Sequence, residues 1–348
     1  MRVVVLGATG NVGTSVVEAL AADDRIHKIV GIARRRPNWS PPKTEFVAAD
    51  IARDPLAPHL RGADVVVHLA WLFQPTHSPL VTWENNAIGS LRVFDAVAAA
   101  GVPAMVYASS VGAYSSPHGD HPVDESWPTH SLPTAGYGRE KAYVERLLDV
   151  FEREHPDRRV VRLRPGFIFK RTSATAQRRL FAGPFLPNPL VEPGRLPVLP
   201  YPRGLRFQAL HSSDAAAAYH RAVVSDARGA FNVAADDVLD GPALAAVLGA
   251  RPVALPRRLV RGAVAAAWHA HLAPADPKLL DLTLGLPIMD TTRARTELGW
   301  VPRWSAREAM EELLHGMAEG AGGPTDPLAA DRTDRRLAEV ATGVGERP

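Results

Sequence analysis

The chain has 348 residues, 46% hydrophobic and 22% charged, and its 40 Lys+Arg against 37 Asp+Glu leave a formal charge of +3. This excludes a disordered chain, a coiled coil and a small disulfide scaffold. With no Cys present, thiolate metal sites and a cysteine nucleophile are excluded too, and no metal site is expected.

The pI near 9.3 comes without a basic stripe interleaved with aromatics, so no nucleic-acid partner is expected. No apolar run reaches 18 residues, so no membrane partner is expected either. Val3–Leu6 is too short for a signal-peptide core, and the expected location is cytoplasmic.

Short β-branched runs alternate with helical patterns through the first half, which argues βαβ units and a parallel sheet. Val3–Leu6 reads as the first strand and Val12–Ala22 as an amphipathic helix. Lys28–Ala33, Glu45–Ala48 and Asp64–Leu69 follow as strands, the last leading to a helix near Asn85–Ala100. Ala104–Ser109 is a fifth strand, Gly136–Glu154 a long helix and Arg159–Arg164 a sixth strand. The unbroken apolar run Val65–Val67 suits a sheet covered on both faces.

After Pro165 the texture changes. Residues 166–205 are rich in Pro and Arg and read as an irregular lid or substrate segment. Residues 206–234 return to patterns that rejoin the sheet, and 235–318 are mostly helical. From 319 to 348 the chain is rich in Gly, Asp and Arg and reads as a flexible tail.

The loop Gly7-Ala8-Thr9-Gly10-Asn11-Val12-Gly13 follows the first strand and opens the first helix. Gly7 permits the sharp turn, Gly10 lets a pyrophosphate approach the backbone, and Gly13 allows helix and strand to pack closely. The unpaired N–H groups at the helix start favour an anion. Strand two should end beside an adenosine ribose. An acid there would bind a 2′-hydroxyl, whereas this chain has Ala33 followed by Arg34, Arg35 and Arg36, which suits a 2′-phosphate. NADP is therefore favoured over NAD; a solvated charge run is the alternative. Asp50, after strand three, is a candidate acceptor for the adenine amino group or a plain turn residue.

Tyr137 and Lys141 are four apart on the long helix, hence on one face one turn apart. A neighbouring ammonium stabilises tyrosinate and lowers a pKa that is ordinarily near 10. Only five lysines occur in the chain, so one inside this pair is a pointed occurrence. Ser109-Ser110 closes strand five at the carboxyl edge, where a hydroxyl could polarise a substrate carbonyl.

These segments, YASSVGAY at 107–114, YGREK at 137–141, GATGNVG at 7–13 and AADI at 48–51, resemble the extended short-chain dehydrogenase/reductase family, in its NAD-dependent epimerase/dehydratase branch. DVVVHLA at 64–70, NNAIGS at 85–90, LRP at 163–165, QALHSSD at 208–214, FNVA at 231–234 and LGWVP at 298–302 extend the resemblance over about 300 residues in order. It implies a doubly wound parallel Rossmann sheet, residues 1–165 rejoined by 206–234. A smaller, mostly helical substrate lobe would come from 166–205 and 235–318.

By the same resemblance, Tyr137 is the acid/base, Lys141 holds the nicotinamide ribose, and Ser110 polarises the substrate. Asn86 lies beside the site. Asp50 and Ile51 bind adenine, while Leu69, Ala70, Arg164 and Pro165 line the cofactor. His68 reads as a packed strand residue. A homodimer through the helices near 85–100 and 136–154 is implied.

Departures narrow the substrate. Where sugar-nucleotide members carry an Arg-Asp-Phe run whose Arg grips a diphosphate, this chain has Phe207-Gln208-Ala209, with Arg206 displaced by one. Lys170-Arg171 replaces a Gly-Pro, and Trp71 replaces a second Ala, followed by Leu72 and Phe73. The expected reaction is hydride transfer to or from a small, apolar carbonyl compound; a nucleotide-sugar epimerase or dehydratase with retained NAD is the alternative.

Overall fold

Seven strands pair in parallel in the computed structural model, which describes residues 1–346 other than 118 and 120. In chain order the strands are β1 (Arg2–Leu6), β2 (Lys28–Ala33), β3 (Thr44–Ala48), β4 (Val65–His68), β5 (Ala104–Ala108) and β6 (Arg159–Pro165), then β7 (Phe167–Phe169), β8 (Val198–Pro202), β9 (Arg206–His211), β10 (Gly229–Val233), β11 (Val238–Asp240) and β12 (Arg251–Leu255). The large sheet runs β10-β6-β5-β4-β1-β2-β3.

Alternation along β1 explains the layering. Val3 and Val5 face helix α1 (Asn11–Ala21) and the helix Ser212–Val224, packing with Val16, Val17, Leu20 and Tyr219. Val4 and Leu6 face the other layer, with Val93, Phe94, Val144 and Leu148 from the helices Gly89–Ala99 and Gly136–Glu154. Strand order reverses between β1 and β4, so a crevice opens at their carboxyl ends.

β10 forms the sheet edge beside β6, whereas β9 pairs with β7 and β11 outside it. The helix expected over 85–100 is present, and it is α from Gly89 to Ala99. Before it come a short helix, Pro79–Trp83, and a π-turn, Glu84–Ile88, that buries both Asn85 and Asn86. The wider turn accommodates one extra inward residue, which a 3.6-residue pattern does not register.

The flexible tail expected from 319 is instead folded. Residues Asp326–Leu328 make a tight turn and Thr333–Thr342 a helix, with Glu339 paired to the buried Arg178 at 2.8 Å. Its composition resembles disorder because it has few apolar residues of its own; its partners come from distant chain. No helix among the described residues is long and apolar enough to cross a membrane.

Candidate active site

The glycine loop lies where β1 and β4 meet. Gly7 has φ +82, and a Cβ there would lie 2.7 Å from the Ala70 nitrogen, so only glycine lets this turn press on Leu69-Ala70. A Cβ at Gly13 would overlap the Gly7 carbonyl, whereas one at Gly10 would meet nothing nearer than 3.6 Å. The Thr9 carbonyl accepts a 2.7 Å hydrogen bond from Thr325, and Asn11 Nδ2 donates to the Ile168 carbonyl. Val12 packs against the α1 layer of the core.

Ser110, Tyr137 and Lys141 come together at the carboxyl end of β5. The Ser110 Oγ accepts from Gly112 N at 2.9 Å, and its hydroxyl lies near enough to the Tyr137 hydroxyl to lower that group's pKa. Ser109 instead donates to Glu145 at 2.5 Å. Lys141 Nζ donates to the Ala108 carbonyl at 2.7 Å and sits 3.4 Å from the centre of the Trp71 ring. Phe73 stacks on Tyr137 at 5.2 Å, Trp71 meets it edge-on at 5.9 Å, and Phe181 backs Phe73. Tyr137 and Lys141 thus lie under an aromatic lid.

Burial reverses the electrostatics expected from the spacing. It pushes the Tyr137 hydroxyl up to about 12, against the lowering effect of Ser110, and pulls Lys141 down to about 7. The ammonium is directed at Ala108 and Trp71, so it does not offset desolvation of a tyrosinate. Tyr137 is therefore a held proton at neutral pH. Unfolded Lys141 keeps its proton to about 10.5 while the folded chain releases it near 7, so its contribution to stability rises with pH between those values. Wild-type stability is expected to gain about 1.4 kcal/mol per pH unit from this proton through the middle of that window. Lys141→Met should flatten the gain, as read from chemical denaturation at pH 7, 8 and 9.

Other residues read from the sequence take different places. Asn86 clamps the lid loop through both backbone groups of Leu72, at 2.7 and 2.8 Å, and donates to Glu140 at 2.7 Å. Glu140, buried between Tyr137 and Lys141 and also bonded to Thr82, was inside YGREK but unassigned. His68 is buried against Tyr107 and Phe94, with Nε2 on Ser90 at 3.0 Å.

The Arg164 side chain, read as a cofactor contact, is taken up within the protein. Its guanidinium bonds Glu145 at 2.9 and 3.0 Å, the Tyr114 hydroxyl at 2.9 Å and the Glu125 carbonyl at 2.8 Å. Pro165 ends β6 beside Val233. Ile51 is a core residue whose carbonyl accepts from Arg92, and Asp50 Oδ1 caps a turn at Ala52 N. Arg34 and Arg35 lie exposed at the end of β2.

Residues 3–234 match the model of the NAD dependent epimerase/dehydratase family. The chain belongs to that family. Among relatives of this epimerase/dehydratase member, an uncharacterized Mycobacterium tuberculosis protein is 27% identical over 355 residues, covering 99% of this chain and 91% of its own. The L-arabinose 1-dehydrogenase (NAD(P)(+)) of Haloferax volcanii is 36% identical over 110 residues, 31% of this chain and 41% of that protein. A UDP-glucose-4-epimerase structure from Stenotrophomonas maltophila, with bound NAD and formylated UDP-arabinopyranose, is similar with a TM-score of 0.70 at 21% identity, covering 92% of this chain and 98% of that one.

The residues of this epimerase/dehydratase member fit a dinucleotide. No side chain caps α1, which leaves its first N–H groups for an anion, and a Cβ at Gly10 would meet nothing nearer than the Gly7 carbonyl at 3.6 Å. Asn11 Oδ1 is buried with no partner, an acceptor left for a ligand hydroxyl.

Proposed function

We propose that the protein is an NAD(P)-dependent oxidoreductase that interconverts an apolar ketone or aldehyde with its alcohol. The observation that carries this reading is the aromatic lid of Trp71, Phe73 and Phe181 on Tyr137. A nucleotide sugar needs cationic groups for its diphosphate. At the corresponding run, Gln208 instead bonds both backbone groups of Met289 and Phe207 packs on Phe167.

Bound nicotinamide would supply or accept the hydride. Ser110 donates to the carbonyl oxygen and holds it beside Tyr137. Tyr137, protonated at neutral pH, gives its proton to that oxygen as negative charge develops there. Lys141, with a pKa of about 7, is the nearby group able to restore that proton through one bridging hydroxyl. Asn86 and Glu140 hold the lid loop and the catalytic helix in register.

The test is to denature the purified protein, identify any released dinucleotide, and assay NADPH consumption with apolar aldehydes and ketones. Net consumption is expected. Tightly retained NAD+ with no net turnover would replace this reading with a nucleotide-sugar epimerase or dehydratase, the reading favoured by likeness to the Stenotrophomonas fold.

The favoured cofactor is NADP, because Arg34 and Arg35 have no hydrogen-bond or ion-pair partner among the described residues and lie at the end of β2. Replacing both by Ser is expected to weaken NADPH binding by about 10- to 100-fold and NADH binding by less than about threefold in calorimetry. Unchanged NADPH affinity would return them to surface charge.

The partner is a second copy. Leu91 on one long helix and Tyr143 and Val150 on the other are exposed apolar groups on the layer that would pair. Leu91→Glu with Val150→Glu should move the mass from light scattering from dimer to monomer.

A further inference from the structure

We propose that residues 321–346 are a latch that holds the aromatic lid on Tyr137 and Lys141, and that dinucleotide exchange requires its release. Arg178 is the positioning residue that seats it. The inference rests on the proposed dinucleotide-dependent function and adds how that site is opened.

The segment spans the site from one wall to the other. At its start, the Ala321 carbonyl accepts from Thr175, and the buried Thr325 hydroxyl donates to the Thr9 carbonyl of the glycine loop. In its middle, Arg178 is 2% exposed and bonds Glu339 through both terminal nitrogens, at 2.8 and 3.2 Å. Arg336 reaches the Pro184 and Leu186 carbonyls and pairs with Asp331. At its end, the Gly345 carbonyl accepts from Thr76 N at 2.9 Å.

Thr76 belongs to the same loop as Trp71 and Phe73. The lid loop is therefore fixed at one end by Asn86 on Leu72 and at the other by the latch on Thr76. Trp268 supports that second end, stacking on His77 at 4.1 Å and donating to the Thr76 hydroxyl at 3.2 Å. Lys141 is 4% exposed, so a ribose hydroxyl that is to reach it must displace the Trp71 indole. Moving Trp71 moves the loop, and the loop is pinned from outside.

The closed seam is not fully satisfied. Trp71 Nε1, His77 Nε2, Arg178 Nε and Arg179 Nε are buried there without hydrogen-bond partners, and each carries a desolvation penalty. Between the anchors the helix Thr333–Thr342 keeps Leu337 and Val340 exposed. Apart from Leu328 and Val344, which are buried, the segment is attached at a few polar points, and its central helix presents little apolar surface inward, as expected of a segment that detaches as a unit.

The test uses the full chain loaded with NADPH, whose release is followed by fluorescence on mixing with excess NADP+, alongside hydrogen–deuterium exchange with and without dinucleotide. Gly345 has φ +88, and a Cβ there would meet Thr76 Oγ1 at 2.7 Å, so Gly345→Val disrupts the distal anchor near the chain end without touching the core. Arg178→Met removes the central anchor. Each is expected to speed NADPH release about tenfold or more and to deprotect 71–77 together with 321–346. If 321–346 is freed in exchange while NADPH release and protection of 71–77 stay at wild-type values, the latch is refuted. It is refuted as well if neither variant frees the segment. If no dinucleotide binds, the proposed function fails instead, and the exchange coupling still decides whether the segment holds the lid.

Discussion

Tyr137→Phe is expected to lower kcat for carbonyl reduction by about 10²- to 10⁴-fold, the ordinary contribution of a positioned acid. The ring itself remains, so its stacking on Phe73 at 5.2 Å and its edge contact with Trp71 survive. Only the hydroxyl and its interaction with Ser110 are lost. Dinucleotide affinity and thermal midpoint should therefore stay near wild type, which separates a chemical defect from a folding one. Ser110→Ala should cost less in kcat, since it removes a donor to the carbonyl oxygen and leaves the proton in place. Turnover within about threefold of wild type in Tyr137→Phe, on a substrate the wild type demonstrably reduces, would overturn the mechanism.

The Tyr137–Lys141 pair was legible because a spacing of four on a helix fixes both side chains on one face, whatever else the chain does. The glycine loop was legible for a similar local reason: close packing against Ala70 excludes any Cβ at Gly7. The latch was not legible. Its anchors join Thr325 to Thr9 and Glu339 to Arg178, residues 316 and 161 positions apart, and a Gly- and Asp-rich segment carries no periodic sign of a distant partner. Nor do sequence distances report how far burial shifts a proton, so the pKa values of Tyr137 and Lys141 move opposite to the expectation from their charges.

The network around Arg164 left a usable signal in the sequence. Arg162 and Arg164 are two apart on β6 and so point to one side of the sheet. Glu145, Asp149 and Glu152 lie at intervals of four and three on the long helix and so share a face. Strand and helix meet there: Glu145, 0% exposed, takes Arg164 and Arg162, and Arg162 also pairs with Asp149 and Glu152. Two cations and an acidic helix face, read together, pointed to a structural network beneath the site.

That network makes Arg164→Met the substitution with the largest expected effect on stability, a loss of about 3 kcal/mol. Burial alone would raise the Glu145 carboxyl; hydrogen bonding to Arg164 and the charges of Arg164 and Arg162 bring it down to about 2. Removing Arg164 leaves a buried carboxylate with Arg162 and Ser109 only, and frees the Tyr114 hydroxyl and the Glu125 carbonyl from their shared donor. Since the folded pKa is below the unfolded one, the Glu145 contribution is present above about pH 4.5 and is lost as pH falls toward 2. The variant should therefore unfold at a higher pH than wild type in an acid titration. Arg164→Met combined with Glu145→Gln should be less destabilised than Arg164→Met alone, because no buried charge is then left underpaired. Well below the unfolding midpoint, Arg164→Met should bind dinucleotide within about twofold of wild type, since its guanidinium faces Glu145 and Tyr114. A loss of affinity of tenfold or more in the folded variant would restore Arg164 to the cofactor site.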